Sequence, residues 1–385
     1  MPLAPAPPPL HPPSYRHGAL PDVLPSVLAA LGHPLADRPA SLVLPPARRS
    51  VVVLLDGLGA QLLGRRAGHA PFLRSLLGDG QVLASGFPAT TATSTASFGT
   101  GLAPGEHGLL GYQSKIPETG AVFDHLSWEG GPDPRRWQPE ATVFELAAAQ
   151  GLAVARVGLP RFDGSGLTVA ALRGGRFLGA TTLQRGVAAT VRFLRDHDQA
   201  LVYVYWGDID KAGHESGCDS PAWISALEHA DEQLRRLAEQ LPAHTSLHIT
   251  ADHGMVDVPF DQRIDLAVDR ELDAGIVATA GEPRAPHLYC RPGAAAEVAA
   301  TWSSRFGQSA LVRVREQAIA DGWFGPTAER NVARIGDVVV AFGAGLAVED
   351  SRTSKPILLT LLGMHGSMTL EETAVPLLTL SARAA

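Results

Sequence analysis

The apolar runs of this chain are short and rich in β-branched and aromatic residues, and three of them stop at an aspartate. They read Val51-Val52-Val53-Leu54-Leu55-Asp56-Gly57, Leu201-Val202-Tyr203-Val204-Tyr205-Trp206-Gly207-Asp208-Ile209-Asp210, and Leu247-His248-Ile249-Thr250-Ala251-Asp252-His253-Gly254. Continuous apolar runs of this length, bounded by Gly, are the pattern of parallel strands buried on both faces. Between and around them the spacing predicts helices at 20–31, just after Gly59, at 72–77, 143–150, 184–196 and 221–240, and a further strand at 153–157. Strands alternating with helices imply an α/β fold with a doubly wound, mostly parallel sheet flanked by helices. From Met255 to His365 the pattern is mixed: strands at 276–279, 287–291 and 338–342 and a helix at 294–306. Residues 256–350 therefore read as a smaller α+β insertion, a cap over the sheet edge. The Leu377-Leu378-Thr379-Leu380 segment reads as a strand or packing segment. No internal repeat of solenoid period is present. The expected organisation is a Pro-rich arm over 1–15, flexible or polyproline-like through about residue 13, and one large domain over 16–385.

Bulk properties narrow the classes. A chain of 385 residues, 45% hydrophobic, has ample core material for a domain of this size. A net charge of −7 argues against a general nucleic-acid binder, which needs a basic stripe. Cys218 and Cys290 are the only cysteines, so no disulfide framework is implied and two free thiols in a reducing cytoplasm is the simpler reading. The stretch from Met1 to Pro13 lacks the basic start and apolar core of a secretory signal, and no apolar run is long enough to span a bilayer. The expectation is a soluble, cytoplasmic protein whose partner is a small molecule.

The candidate chemistry begins at the strand ends. Ligands of open α/β sheets sit beyond the carboxyl ends of the strands. Three carboxylates delivered there repel one another unless a cation lies among them. Asp210 and His214, four apart after an apolar strand, can face one side of a helix start and form an oxygen-plus-imidazole metal set; alternatively Asp210 caps the following segment. Asp252 and His253 reach one ion only if the backbone turns sharply, which Gly254 allows; alternatively they form an ordinary turn. Asp56 reads equally as a metal ligand or as the N-cap of the helix near Gly59. His365, in Gly363-Met364-His365-Gly366-Ser367, says little by itself.

The run Phe87-Pro88-Ala89-Thr90-Thr91-Ala92-Thr93-Ser94-Thr95-Ala96-Ser97-Phe98-Gly99-Thr100-Gly101 offers a nucleophile. A threonine hydroxyl needs a base or a metal to attack at neutral pH. Thr91, at a helix start, would have free backbone N–H groups nearby for a phosphoryl oxygen. The alternative is a helix that uses small residues for close packing, its hydroxyls bonded to the preceding turn.

Taken in order, Asp56, the Pro88-x-x-Thr91 segment closed by Thr100-Gly101, Asp210-x-x-x-His214, Asp252-His253-Gly254 and His365-Gly366 closely resemble the alkaline phosphatase superfamily. Within it the chain looks most like the type I phosphodiesterase/nucleotide pyrophosphatase branch, where the nucleophilic Thr lies three after a Pro and nine before a Thr-Gly pair. Thr91 meets both counts and Thr90 meets neither. The resemblance spans about residues 50–370. It implies two zinc ions, other divalent transition metals also fitting, with Asp210, His214 and His365 holding one and Asp56, Asp252, His253 and the Thr91 oxygen the other. It further implies attack by Thr91 on phosphorus, a phosphothreonine intermediate, and a small phosphorylated, nucleotide-like substrate. One departure is Tyr112, which stands 21 residues after Thr91 where that branch has a phosphate-binding Asn. A phenol donates one hydrogen bond from a longer arm, so Tyr112 is the candidate substrate contact and diester preference is open. A Cys-x-Pro-x-Arg segment is absent, which argues against a sulfatase, as does the lack of a bulky insertion against a phosphoglycerate mutase. Three other readings stand beside the diesterase: a phosphomonoesterase or phosphonate hydrolase with the same metals, a catalytically silent binding protein on this fold, and a purely structural domain. Tyr112, Phe123, Trp128, Trp137 and Phe162 are candidate walls for a diester substituent, and Arg161 and Lys211 candidate cationic donors.

Overall fold

The three aspartate-terminated runs become neighbouring parallel strands in the middle of one sheet. Strand β1 (Arg49–Leu55) lies between β2 (Ala200–Trp206) and β3 (Thr245–Thr250), with Leu55 opposite Trp206 and Leu54 opposite Thr250, so all three end at the same edge. Val51 to Leu55 are fully buried, and each such side chain contributes about 1.5–3 kcal/mol of hydrophobic stabilisation. The computed structural model describes residues 10–15, 17–343 and 345–381, so residues 1–9 of the Pro-rich arm lie outside the described residues.

The whole sheet has seven strands in the order Gln81–Ala84, Ala374–Leu380, β3, β1, β2, Ala153–Gly158, Arg176–Gly179. Only Ala374–Leu380 runs against its neighbours; the other pairings are parallel. The helices Val23–Ala30, Val143–Ala149, Leu183–Arg195 and Pro221–Gln240 follow the expected spacing to within two or three residues at each end. The two edge strands were not expected: Gln81–Ala84 and Arg176–Gly179 are four residues long and mostly half-buried or exposed, so they lack an apolar run.

A second sheet, of six strands, has the order Ala310–Val314, Val338–Phe342, Ala285–Cys290, Ile276–Glu282, Gln113–Lys115, Val122–Asp124. The helix Ala295–Phe306 packs Trp302 and Phe306 on Phe342 beneath it. Its last two strands come from the segment between the hydroxyl-rich run and Ala153, so this sheet is shared between two stretches of chain. At the N-terminal end of the described chain, Leu10 packs against the cluster of Phe87, Trp323 and Phe324. The Tyr15 hydroxyl donates to the Trp323 carbonyl (2.8 Å) and accepts from the Phe87 N–H (2.9 Å). Cys218 and Cys290 are free thiols. Among the described residues no helix is long and apolar enough to cross a membrane.

Candidate metal centre

Each strand end presents its acid by a different local device. After β1 the chain turns at Gly57 (φ 72°), and a Cβ there would lie 2.9 Å from the Asp210 Cα, so only glycine lets this turn meet the Asp210 backbone. The helix that follows is capped by Gly59 without any side-chain bond. Asp56 is thus not an N-cap; its carboxylate instead accepts the Tyr205 hydroxyl and faces Thr91. β2 runs into a helix, Asp208–Ser216, which sets Asp210 and His214 one turn apart with His214 Nε2 3.3 Å from Asp210 Oδ1. Asp252 follows β3 and turns its Oδ1 back to accept the backbone N–H of Gly57 (3.2 Å) and of His253 (3.0 Å). Gly254 serves close approach rather than a turn: a Cβ there would sit 1.9 Å from the Glu371 carbonyl oxygen. His365 arrives from the C-terminal side, where Ala89 N–H donates to Gly366 O (3.0 Å) and ties that loop to the Pro88 segment.

The structure gathers the six residues into two triads, Asp210-His214-His365 and Asp56-Asp252-His253, the ligand atoms of each lying within 4.8 Å of one another. In all three histidines Nδ1 faces a backbone carbonyl: Gly363 O for His214 (2.8 Å), Gly254 O for His253 (2.9 Å), Ala89 O for His365 (3.0 Å). A carbonyl only accepts, so each Nδ1 carries the proton and each Nε2 presents a lone pair to the centre, the tautomer a metal requires. Asp210 Oδ1 and Asp252 Oδ2 are buried and have no hydrogen-bond partner. Orphaned carboxylate oxygens beside imidazole lone pairs fit a divalent cation. The electrostatics agree. Burial, then repulsion from Asp252 and Asp210, pushes the Asp56 carboxyl well above its ordinary range. Burial, then His253 and His214, holds His365 far below the usual imidazole value. Such an assembly is costly until positive charge enters it.

The hydroxyl-rich run is the helix Thr91–Thr100. Small residues are needed for packing, since a Cβ on Gly99 would meet the Ala171 carbonyl oxygen at 2.0 Å, and the Thr100 hydroxyl donates to Ala96 O (2.6 Å). Yet Thr91, in the first turn, points its Oγ1 at the second triad, 3.2 Å from His253 Nε2 and 3.5 Å from both Asp56 oxygens. The N-cap Thr90 makes no capping bond; its hydroxyl donates to Glu282. The helix start is thereby left free to receive an anion.

Two clefts meet at Thr91 and Asp210. One, of about 290 Å3, is lined by Thr90, Tyr112, Glu282, His214 and His365. The other, of about 510 Å3, is lined by Asp56, Tyr205, Arg161, Phe162 and Lys211. Phe123, Trp128 and Trp137 line neither. Phe123 packs edge-on against His125, Trp128 (5.4 Å) and Trp137 (5.2 Å), and all three aromatics are buried, so they belong to the core. Two residues at the centre went unrecognised in the sequence. Tyr205 was legible as the inward-facing position before a strand-end acid, but Glu282, whose carboxyl burial pushes up to about 8, had no motif to mark it.

The sequence profile of type I phosphodiesterases/nucleotide pyrophosphatases matches residues 50–368. The chain belongs to that family. An uncharacterized pyrophosphatase/phosphodiesterase of Schizosaccharomyces pombe is 27% identical over 217 residues, covering 53% of this chain and 44% of the yeast protein, so the chain matches less than half the length of that relative. Among solved structures, murine ectonucleotide pyrophosphatase/phosphodiesterase 5 superposes with a TM-score of 0.70 at 20% identity over 87% of this chain and 88% of that one. Phosphonoacetate hydrolase from Sinorhizobium meliloti, solved with phosphonoacetate, gives 0.68 at 20% identity over 90% and 92%. These likenesses are of fold. In this type I phosphodiesterase family member, Tyr112 lies in the smaller cleft beside Thr91, its phenol held in the neutral form by burial and the charges of Asp124 and Glu282.

Proposed function

We propose that this chain is a two-zinc phosphodiesterase or nucleotide pyrophosphatase that hydrolyses a phosphodiester or pyrophosphate bond of a small phosphorylated substrate through a covalent ester on Thr91. The observation that carries the reading is the position of Thr91 Oγ1, in the first turn of an uncapped helix and facing Asp56 and His253. Asp210, His214 and His365 would hold one ion and Asp56, Asp252 and His253 the other. Held by these residues, two divalent cations would supply Lewis acidity, lowering the pKa of the attacking oxygen and neutralising charge on the leaving one. The free N–H groups at the helix start orient a phosphoryl oxygen toward Thr91. The Tyr112 phenol, neutral and facing the smaller cleft, donates to a second oxygen. Attack by Thr91 expels one substituent, and water then cleaves the threonyl ester, so phosphorus undergoes two inversions and net retention.

Two clefts meeting at one hydroxyl favour a diester over a monoester, because a diester needs room on both sides of phosphorus. Murine ectonucleotide pyrophosphatase/phosphodiesterase 5 has been solved as an inactive variant with AMP, which supports a nucleotide-like substituent. Acid quenching during steady-state turnover of bis(p-nitrophenyl) phosphate, followed by peptide mass spectrometry, is expected to find the p-nitrophenyl phosphoryl ester on Thr91. Finding the adduct on another residue, or on none in burst-phase samples, contradicts the covalent mechanism.

A further inference from the structure

The larger cleft continues past the metal ligands into a chamber that the proposed chemistry leaves unused. Tyr203 and Tyr205 are two residues apart on β2 and face the same side of the sheet, so Tyr203 lies roughly 7 Å deeper than the tyrosine that reaches Asp56. Arg156 stands in register with Tyr203 on the neighbouring strand. Thr95 is one turn beyond Thr91 along the hydroxyl-rich helix. All three line the cleft together with Thr91, and they are only 8% (Arg156), 2% (Tyr203) and 2% (Thr95) exposed.

None of these groups is satisfied. Arg156 Nε and Nη1, the Tyr203 hydroxyl and the Thr95 hydroxyl are buried without hydrogen-bond partners. Among the described residues no carboxylate forms an ion pair with Arg156; Asp163 acts on it only through space, and its guanidinium lies 5.6 Å from the Phe177 ring centre. A buried guanidinium is expensive unless an anion meets it, and five donors in a fixed fork match a carboxylate or phosphoryl group. The Tyr203 and Thr95 hydroxyls add two further unpaired donors to the same cleft, whose apolar lining includes Leu159, Leu172 and Phe177.

We propose that Arg156, Tyr203 and Thr95 form a second binding site, for an oxyanion carried at the far end of one substituent of the substrate. The site rests on the functional reading above only in taking Thr91 as the position of the scissile phosphorus. It assigns the substrate class: phosphoric esters bearing a terminal carboxylate or a second phosphoryl group.

Three non-hydrolysable probes test this by titration calorimetry on the zinc-supplemented protein: pentylphosphonate, 5-phosphonopentanoate and pentane-1,5-bisphosphonate. One or both doubly anionic probes are expected to bind at least about tenfold more tightly than pentylphosphonate, and the tighter of the two identifies carboxylate or phosphoryl recognition. Arg156→Gln is expected to abolish that difference while leaving pentylphosphonate within about twofold, and Arg156→Lys to retain part of it. Tyr203→Phe and Thr95→Val, which change one hydroxyl each, are expected to reduce the difference by several-fold and serve if Arg156→Gln does not fold. Equal binding of the three probes to wild type, or equal weakening of all three in the variants, overturns the proposal. Turnover of bis(p-nitrophenyl) phosphate, measured alongside, separates the two claims. Turnover without a probe difference sinks the chamber alone, and a probe difference without turnover sinks the diesterase reading alone.

Discussion

The Tyr205 hydroxyl donates a hydrogen bond to Asp56 Oδ2, leaving Asp56 Oδ1 3.3 Å from His253 Nε2 on the metal side. The bond fixes which oxygen of the carboxylate faces the centre, the kind of support whose loss typically weakens metal affinity by about 10–100-fold. Tyr205→Phe is therefore expected to weaken binding at one of the two sites by about that factor and to recover most activity at saturating zinc. Competition against a chromophoric chelator measures it; unchanged affinity would show that Asp56 needs no such support.

Mutual repulsion among Asp56, Asp252 and Asp210 gives opposite predictions with and without metal. Burial, then the charges of Asp252 and Asp210, push Asp56 upward, and burial, with the charge of Asp210, pushes Asp252 upward, so their ionised forms oppose folding at neutral pH in the stripped protein. Asp252→Asn is expected to raise the Tm of chelator-treated protein and to lower that of metal-loaded protein, where it removes a ligand. Thermal melts with EDTA and with zinc check both signs. A fall in both conditions would mean that Asp252 supports the fold irrespective of metal.

Gly254 tests the packing beneath the second triad. With the Glu371 carbonyl 1.9 Å from the site of a Cβ, Gly254→Ala has to move backbone, at about 1–3 kcal/mol or more. Because Gly254 O also accepts from His253 Nδ1, the variant is expected to lose metal as well as stability. Denaturant unfolding and metal analysis of the same sample read both losses, and retention of full metal content would uncouple the two.

His107 sets an acid limit. Its Nδ1 accepts the Leu109 N–H (3.1 Å) and its Nε2 lies 2.9 Å from Ser97 Oγ, an arrangement only the neutral ring can make. Burial, with the charges of His125 and Arg334, lowers it from 6.5 to about 3. The folded value lies below the unfolded one, so the unfolded chain binds the extra proton between them. Stability present in full above pH 6.5 is thus lost as the pH falls toward 3, at about 1.4 kcal/mol per pH unit. His107→Gln is expected to make the pH dependence of unfolding shallower by about one proton over that window; an unchanged slope would place the acid sensitivity elsewhere.

The chain made its parallel core and its candidate metal ligands readable for one physical reason: strands buried on both faces are written as unbroken apolar runs, and the acids come where those runs stop. Asp56, Asp210, Asp252 and His253 stand at such ends. His365 has no such context and became legible only from the order of motifs along the whole chain. What escaped depended on contacts between distant segments. The three-residue strands Gln113–Lys115 and Val122–Asp124 join a sheet built mainly from residues far downstream, and Glu282 meets Thr90 from 192 residues further along the chain. The aromatics Phe123, Trp128 and Trp137 suggested a substrate wall by proximity in sequence, whereas their rings found one another. Gly254 was rightly singled out, but for close approach rather than for a turn.

The most direct test of the central claim combines metal content with turnover of bis(p-nitrophenyl) phosphate and p-nitrophenyl phosphate by wild type and Thr91→Ala. About two zinc ions per chain, diester turnover well above monoester turnover, and loss of turnover in Thr91→Ala are the expected results. Absence of bound metal together with no Thr91-dependent turnover, even after zinc is added back, would contradict that claim.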